Sequence, residues 1–133
     1  MVVILTKEQS LYQFWSGFGV QAFEENSVPS GKDSPSFPYL TYQASIDSFG
    51  GEVQLTASLW DRDREGYSAL LRNSKKAEEI SANIGRGGII LNCDNGAIWI
   101  KRGSPFAQNM GDETDNLIKR KYLNITAEFL TVD

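Results

Sequence analysis

The stretch that most decides the fold is YSALLRNSKKAEEISANI, residues 67–84. Apolar and small residues recur in it at spacings of three and four, which places them along one side of a helix. That side comprises Tyr67, Leu70, Leu71, Ser74, Ala77, Ile80, Ser81 and Ile84. The other side carries charged and amide residues, namely Arg72, Lys75, Lys76, Glu79 and Asn83. The pattern predicts an amphipathic helix that lies on a flat apolar surface.

Residues typical of helix ends flank this segment and a second one near the start of the chain. Asp63 is expected to cap the first turn of the central helix, and Gly85 to end it. Thr6 and Gln9 form the pattern of a capping box, which predicts a helix over residues 7–18. The core side of that helix would carry Leu11, Phe14, Trp15 and Phe18.

Alternating segments on either side of the central helix predict a sheet. Residues 40–49 and 52–62 alternate apolar and polar side chains around Gly50-Gly51, which indicates a hairpin. Residues 88–93 and 97–102 predict a second hairpin around Asn95-Gly96, with a type I′ turn. A last strand is predicted over residues 119–131, and 20–23 is a candidate short strand.

The order of elements indicates a single α+β domain. We expect a two-layer sandwich, in which two helices pack on one face of a mainly antiparallel sheet of about five strands. Residues 26–38 contain three of the four prolines and are predicted to form a loop. Residues 103–116 are predicted to form a second loop.

The composition excludes several classes of function. The 133 residues contain no histidine, which rules out Ser-His-Asp and Cys-His catalysis and histidine-ligated zinc. A net charge of −4 argues against a broad DNA-binding face, so no sequence-specific nucleic-acid binding is expected.

Cys93 is the one cysteine and is interpreted as a core residue. The apolar start, residues 1–5, is too short for a signal peptide or membrane span, so we expect folding in a cytoplasm without membrane association.

The charged segments yield no metal or cofactor site, and none is expected. Residues 61–66 place acids at the first, third and fifth positions of a calcium-loop pattern, but its twelfth position, which requires a carboxylate, is Arg72. A charged turn before the helix is the preferred interpretation. The acids of the second loop, Asp112, Glu113 and Asp115, are interpreted as part of a solvated acidic loop, because no catalytic or metal-binding constellation is visible around them in the sequence.

One side of the strand 52–62 is unusual for a surface in contact with water. Its residues are mostly neutral and include a tryptophan: Gln54, Thr56, Ser58, Trp60 and Arg62. Such a surface suits contact with another protein, although a weakly hydrophilic exposed sheet fits equally well. The candidate interface therefore combines these five residues with the loop acids Asp112, Glu113 and Asp115.

Three groups of segments together resemble one family of phage proteins. They are FWSGFG at 14–19 with Val28-Pro29; PYLTY at 38–42 with ASLW at 57–60; and IWIKRGSPFAQ at 98–108 with YLNI at 122–125. In order and spacing they resemble tail terminator, tail completion or minor capsid proteins of long-tailed phages and prophages of Gram-positive bacteria. The resemblance spans nearly the whole chain, and its segments are structural rather than catalytic.

The resemblance to lambda-type tail terminators implies a structural, non-enzymatic role in the virion. Such proteins form a ring, typically a hexamer, on the head-proximal end of the tail tube, where they end tail growth and contact the head connector. The implied partners are other copies of the chain, the tail tube protein and the connector or stopper. The implied location is the head–tail junction, reached after assembly in the host cytoplasm. A head-side neck, stopper or minor capsid protein is the alternative; a small binding module or enzyme unrelated to phage remains a third.

Overall fold

The computed structural model describes residues 4–46, 51–111 and 115–131, which form two helices and six strands. The helices are α1 (Lys7–Ser16) and α2 (Gly66–Ile84). The strands are β1 (Gln21–Glu24), β2 (Tyr39–Tyr42), β3 (Gly51–Arg62), β4 (Ile89–Cys93), β5 (Gly96–Gly111) and β6 (Ile118–Thr131). A short 3-10 helix (Gly31–Asp33) lies in the predicted 26–38 loop.

All six strands belong to one sheet, in the order β1-β2-β3-β6-β5-β4. Every pairing is antiparallel except that of β1 with β2, which is parallel. The predicted α+β class and mainly antiparallel sheet are therefore confirmed, with six strands rather than about five. The sixth strand is β1, which corresponds to the candidate short strand predicted over residues 20–23.

Both helices pack on the same face of the sheet, which we call the helix-covered face. Trp15 of α1 stacks on Tyr42 of β2, and Ile80 and Ile84 of α2 are fully buried in the same core. The capping box at the start of α1 is confirmed, because Thr6 and Gln9 exchange both hydrogen bonds (2.9 and 3.2 Å). The helix ends at Ser16, two residues earlier than predicted, and Phe18 packs on the core from the following turn.

The buried side of α2 matches the prediction at Ala77, Ile80 and Ile84 and differs from it in the first half of the helix. Its buried residues are Ala69, Asn73, Ala77, Ile80 and Ile84. Tyr67 and Leu71, predicted to face the core, are 69% and 51% exposed. In that half the buried residues are Ala69 and Asn73, and Asn73 Nδ2 donates to the Lys119 carbonyl (3.0 Å), a contact that hydrophobicity does not encode. Gly85 ends the helix with a positive φ of 72°, as predicted for a glycine stop.

Several predicted boundaries were wrong. The strand predicted over 40–49 is β2, which ends at Tyr42; the predicted Gly50-Gly51 turn includes residue 50, outside the described residues. The second hairpin turns at Asp94 and Asn95, one residue before the predicted pair, since Cys93 pairs with Gly96. Asn95 has a positive φ (61°), whereas no positive φ is found at Asp94, so the turn is not type I′.

Most of the second predicted loop, residues 103–116, is strand. β5 continues to Gly111, with an irregularity between Arg102 and Ala107 that sets four residues opposite Asn124. Asn124 Nδ2 donates to the Pro105 carbonyl (3.0 Å) across this bulge. A Cβ on Gly103 would lie 2.9 Å from the Asn124 carbonyl oxygen, so a glycine is required there. Gly103, Ser104 and Pro105 suggest a loop in sequence, yet they form a bulge within a continuous strand.

Candidate functional site

The sheet face opposite the helices, which we call the open face, contains the predicted interface side of β3. Leu55, Ala57 and Leu59 are buried beneath the helices, so alternation directs the intervening residues to the open face. Those residues are Gln54, Thr56, Ser58, Trp60 and Arg62, the five residues of β3 singled out in the sequence. Thr41, Gln108 and Tyr122 lie in one row with Ser58 on this face.

Four residues form a continuous stack on the open face, which we call the aromatic–arginine cluster: Tyr39, Trp60, Arg120 and Tyr122. Tyr39 stacks on Trp60, with ring centroids 6.2 Å apart and planes inclined by 16°. The Arg120 guanidinium lies over the Trp60 ring (4.7 Å) and over the Tyr122 ring (5.0 Å). These distances are typical of cation–π contacts. Cross-strand register produces the stack, because Tyr39, Trp60 and Arg120 occupy one row across β2, β3 and β6.

Hydrogen bonds fix the orientation of this cluster. The Trp60 indole Nε1 donates to Thr41 Oγ1 (2.9 Å), and Arg120 Nε donates to Ser58 Oγ (2.9 Å). Arg120 forms no ion pair among residues 4–46, 51–111 and 115–131. Its guanidinium contacts two aromatic rings and the Ser58 hydroxyl instead. Phe23 and Phe37 extend the aromatic surface, each in contact with Tyr39. Tyrosine, tryptophan and arginine, the residue types of this cluster, are also those that contribute most to the binding energy of many protein interfaces.

The other end of the open face has a different chemistry. Lys101 Nζ pairs with Glu52 (3.1 Å) and Glu128 (3.9 Å) and lies 4.4 Å from the centre of the Trp99 ring. Carboxylates therefore neutralise the lysine there. The open face thus combines an end whose charges pair with one another and an aromatic end where Arg120 has no carboxylate partner among the described residues. The aromatic end is the better candidate for contact with a partner.

The acidic part of the predicted interface is only partly described. Asp112 and Glu113 lie outside the described residues. Asp115 Oδ2 accepts from Arg62 Nε (2.8 Å), which joins the last of these acids to the last of the β3 interface residues. Sequence reasoning named both residues without predicting the ion pair between them.

The calcium-like segment is organised around an arginine. The Arg72 guanidinium bonds Asp61 (2.6 Å) and Asp63 (2.9 Å), so the twelfth position of the pattern neutralises its first and third. These hydrogen bonds raise the pKa of Arg72 above its usual range. Asp63 does not cap α2 as predicted: its carboxylate accepts from the Glu65 backbone N–H (3.2 Å), and that bond, with Arg72, lowers the pKa of Asp63. The preferred interpretation, a charged turn before the helix, fits this geometry.

A small-molecule site would require a groove with polar groups free to bind the ligand. A groove of about 320 Å³ lies where β2 and β3 meet α2, and Asp61, Arg72, Lys76 and Glu79 contribute to its lining. Its two acids are already paired, Asp61 with Arg72 and Glu79 with Lys76 (3.1 Å). Within the described ranges, His, Cys, Asp and Glu residues form no group of three that could hold a metal ion.

Comparisons with known proteins leave the family open. No protein-family model matches the chain, and no curated protein sequence matches it. Neither described helix is long and apolar enough to cross a membrane.

Sequence reasoning missed three members of the aromatic–arginine cluster. It placed Trp60 on the candidate interface, but it named Tyr39 and Tyr122 only within the resemblance and gave Arg120 no role. The signal that could have found them is cross-strand register, because rows of opposed residues are the unit of contact on a sheet. That register depends on pairing β3 with β6, which are 55 residues apart in the chain.

Proposed function

We propose that the chain is a structural protein of a phage or prophage tail, which caps the head-proximal end of the tail tube as a ring of identical copies. The observation that carries the proposal is the aromatic–arginine cluster of the open face, whose side chains are ordered by hydrogen bonds within the chain. The resemblance noted in the sequence supplies the biological setting. In this proposal the open face binds protein, either another copy or a tail or connector subunit.

The chemistry of the open face supports a protein partner over bulk water. Its neutral residues have hydroxyl, amide and aromatic side chains. They offer a partner hydrogen-bond donors and acceptors together with flat apolar surface. Tyrosine, tryptophan and arginine are enriched at interface cores, whereas lysine and glutamate are depleted there. The lysine and glutamates of this face are gathered at its other end and paired with one another.

Deletion of the gene from an inducible prophage tests the proposed role. Without a terminator, tail growth lacks its stop, so electron microscopy of the lysate is expected to show tails of abnormal length and free heads. Expression of the wild-type chain in trans is expected to restore normal particles. Tails of normal length joined to heads in the deletion strain would refute the proposal. Finished free tails beside heads that leak DNA would indicate the head-side stopper role instead.

A matched pair of variants tests whether the open face is used. Gln54→Glu adds a carboxylate to an exposed position of that face, in the row of Thr126 and Lys101, with almost no change of shape. Asn83→Asp makes the same amide-to-acid change on the exposed surface of α2. Complementation of the deletion strain is expected to fail or weaken with Gln54→Glu and to succeed with Asn83→Asp, because a buried unpaired charge opposes association. Equal complementation by both variants would exclude the Gln54 row of the open face from the interface.

A further inference from the structure

The far half of β5 has an uncovered edge. β4 pairs with β5 only from Gly96 to Ile100, and β6 occupies the other side of β5. Among the described residues, no strand pairs with the outer edge of residues 107–111 of β5. An unpaired strand edge presents backbone donors and acceptors that another strand can bind.

Exposed apolar side chains border this edge on both faces of the sheet. One side of α2 faces the β5–β6 part of the sheet, because Ser81 Oγ accepts from Arg102 of β5 (2.9 Å) and Ser74 Oγ accepts from Lys121 of β6 (3.3 Å). Lys121 Nζ also donates to Asn109 Oδ1 of β5 (2.9 Å). Tyr67 and Leu70 lie on that same side by helical spacing, and Tyr67 is 69% exposed. On the open face, Met110 is 43% exposed. An added strand would therefore be covered by apolar surface above and below.

The complementary edge is β1, the terminal strand at the opposite side of the sheet. Cross-strand register places both edges at one level: Gln21 shares a row with Met110, and Phe23 shares one with Gln108. The sequence of pairings makes β1 antiparallel to β5. Copies related by rotation about an axis along the strands would therefore bring β1 and β5 together level and antiparallel, as a head-to-tail ring requires.

Charge and shape also favour a second copy as the occupant. β1 ends in Glu24 and is followed by the exposed Glu25, and Arg102 is exposed beside the free half of β5. A groove of about 380 Å³ borders β1, lined by Tyr12 and Ser16 of α1 and by residues 19–23. It lies on the side where the neighbour's exposed Tyr67 would arrive. The Ser16 hydroxyl is buried there with no partner among the described residues.

We propose that β1 of one copy pairs, antiparallel, with residues 107–111 of β5 in the next, which extends the sheet from subunit to subunit. This inference rests on the proposed ring and names its subunit contact. Glu24 and Glu25 of one copy then lie near Arg102 of the other, and Tyr67 enters the groove beside β1. The two edges differ, so the contact is heterologous and each copy offers one of each.

Disulfide trapping between two singly substituted chains tests this pairing. In a Cys93→Ser background, Gln21→Cys and Met110→Cys chains are mixed at high concentration and oxidised, and disulfides are identified by mass spectrometry. Gln108→Cys replaces Met110→Cys in a parallel mixture to cover a shift in register. The mixed disulfide is expected at about tenfold the yield of a control mixture of Gln21→Cys with Arg86→Cys, which bears its cysteine on an exposed turn, because docking raises the effective concentration.

Charge exchange adds specificity to the same assay. Arg102→Glu in the β5 chain is expected to lower the yield several-fold, and Glu25→Arg in the β1 chain to restore it. Control-level yields in both register mixtures would overturn the pairing, whether or not oligomers form. Gln21→Cys chains that cross-link to themselves more than to β5 chains would also overturn it. Oligomers that form without the mixed disulfide would mean that the ring uses a different subunit contact. The prophage deletion tests separately whether the chain has the proposed role in the tail.

Discussion

Two arginines on opposite faces of the sheet are held in opposite ways. Arg72 lies on the helix-covered side and bonds two carboxylates, Asp61 (2.6 Å) and Asp63 (2.9 Å). Arg120 lies on the open face, between the Trp60 and Tyr122 rings, with a hydroxyl as its hydrogen-bond acceptor. One guanidinium is neutralised within the chain; the other keeps its charge, so far as the described residues extend.

This difference separates a structural contact from a candidate binding one. Asp61 is 1% exposed, so its carboxylate depends on Arg72 and on the Arg62 backbone N–H (2.8 Å) for compensation. Arg120 is already ordered by aromatic rings, and its charge remains for a partner's acceptor. Rings order an arginine without neutralising it, which lowers the entropy lost when a partner binds. The same residue type therefore stabilises the fold on one face and serves recognition on the other.

The largest effect is expected at the Arg72 side. Asp61→Asn removes the charge of a buried acceptor while it keeps the shape of the side chain. The free energy of unfolding is expected to fall by about 1–3 kcal/mol, because a buried hydrogen bond to a charged group is lost or weakened. Urea denaturation followed by circular dichroism measures the change.

A double-mutant cycle assigns that loss to the ion pair. Arg72→Met and the combination of Asp61→Asn with Arg72→Met complete the cycle, and the double loss is expected to be smaller than the sum of the two single losses. Strict additivity would mean that Asp61 acts through the Arg62 backbone alone. A loss below about 0.5 kcal/mol in the free energy of unfolding of Asp61→Asn would contradict the structural role assigned to the contact between Asp61 and Arg72.

A smaller effect on stability is expected at Arg120. Arg120→Met keeps much of the aliphatic contact with the rings and removes the charge. The free energy of unfolding is expected to fall by about 1 kcal/mol or less, the range of a partly exposed cation–π contact. Complementation of the prophage deletion is nevertheless expected to fail, whereas Arg72→Met chains that fold should complement. A loss of stability at Arg120 as large as at Asp61, together with normal complementation, would reverse the assigned roles.

The main elements of the fold could be predicted because their signals are local. The capping box at Thr6 and Gln9, the periodicity of residues 67–84 and the alternation in β3 each lie within one element. The burial of Asn73 in the first half of α2 could not be predicted, because its side chain is polar and its partner carbonyl belongs to the distant Lys119. The bulge after Arg102 was predicted as a loop, since Gly103 and Pro105 favour loops and only pairing with Asn124 places them in a strand.

The candidate site was predictable only in part, for a related reason. The neutral side of β3 can be identified from alternation, and the structure places all five residues on the open face. The aromatic–arginine cluster combines β2, β3 and β6, so it depends on register between distant segments. The ion pair between Arg62 and Asp115 likewise joins two residues that the sequence indicated separately.

The smallest expected effect concerns pH and again separates the two arginines. The pKa of Asp63 is lowered by the Glu65 backbone N–H and by Arg72. Its stabilising contribution is therefore present above the ordinary value of 3.8 and is lost as the pH falls through the lower folded-state pKa. Between about pH 5 and pH 3, the free energy of unfolding is expected to fall less steeply in Asp63→Asn than in the wild type. Arg120→Met is expected to keep the wild-type slope, because no carboxylate in the described ranges pairs with Arg120. An unchanged slope in Asp63→Asn, or a shallower one in Arg120→Met, would contradict the distinction between an arginine held by carboxylates and one held by rings.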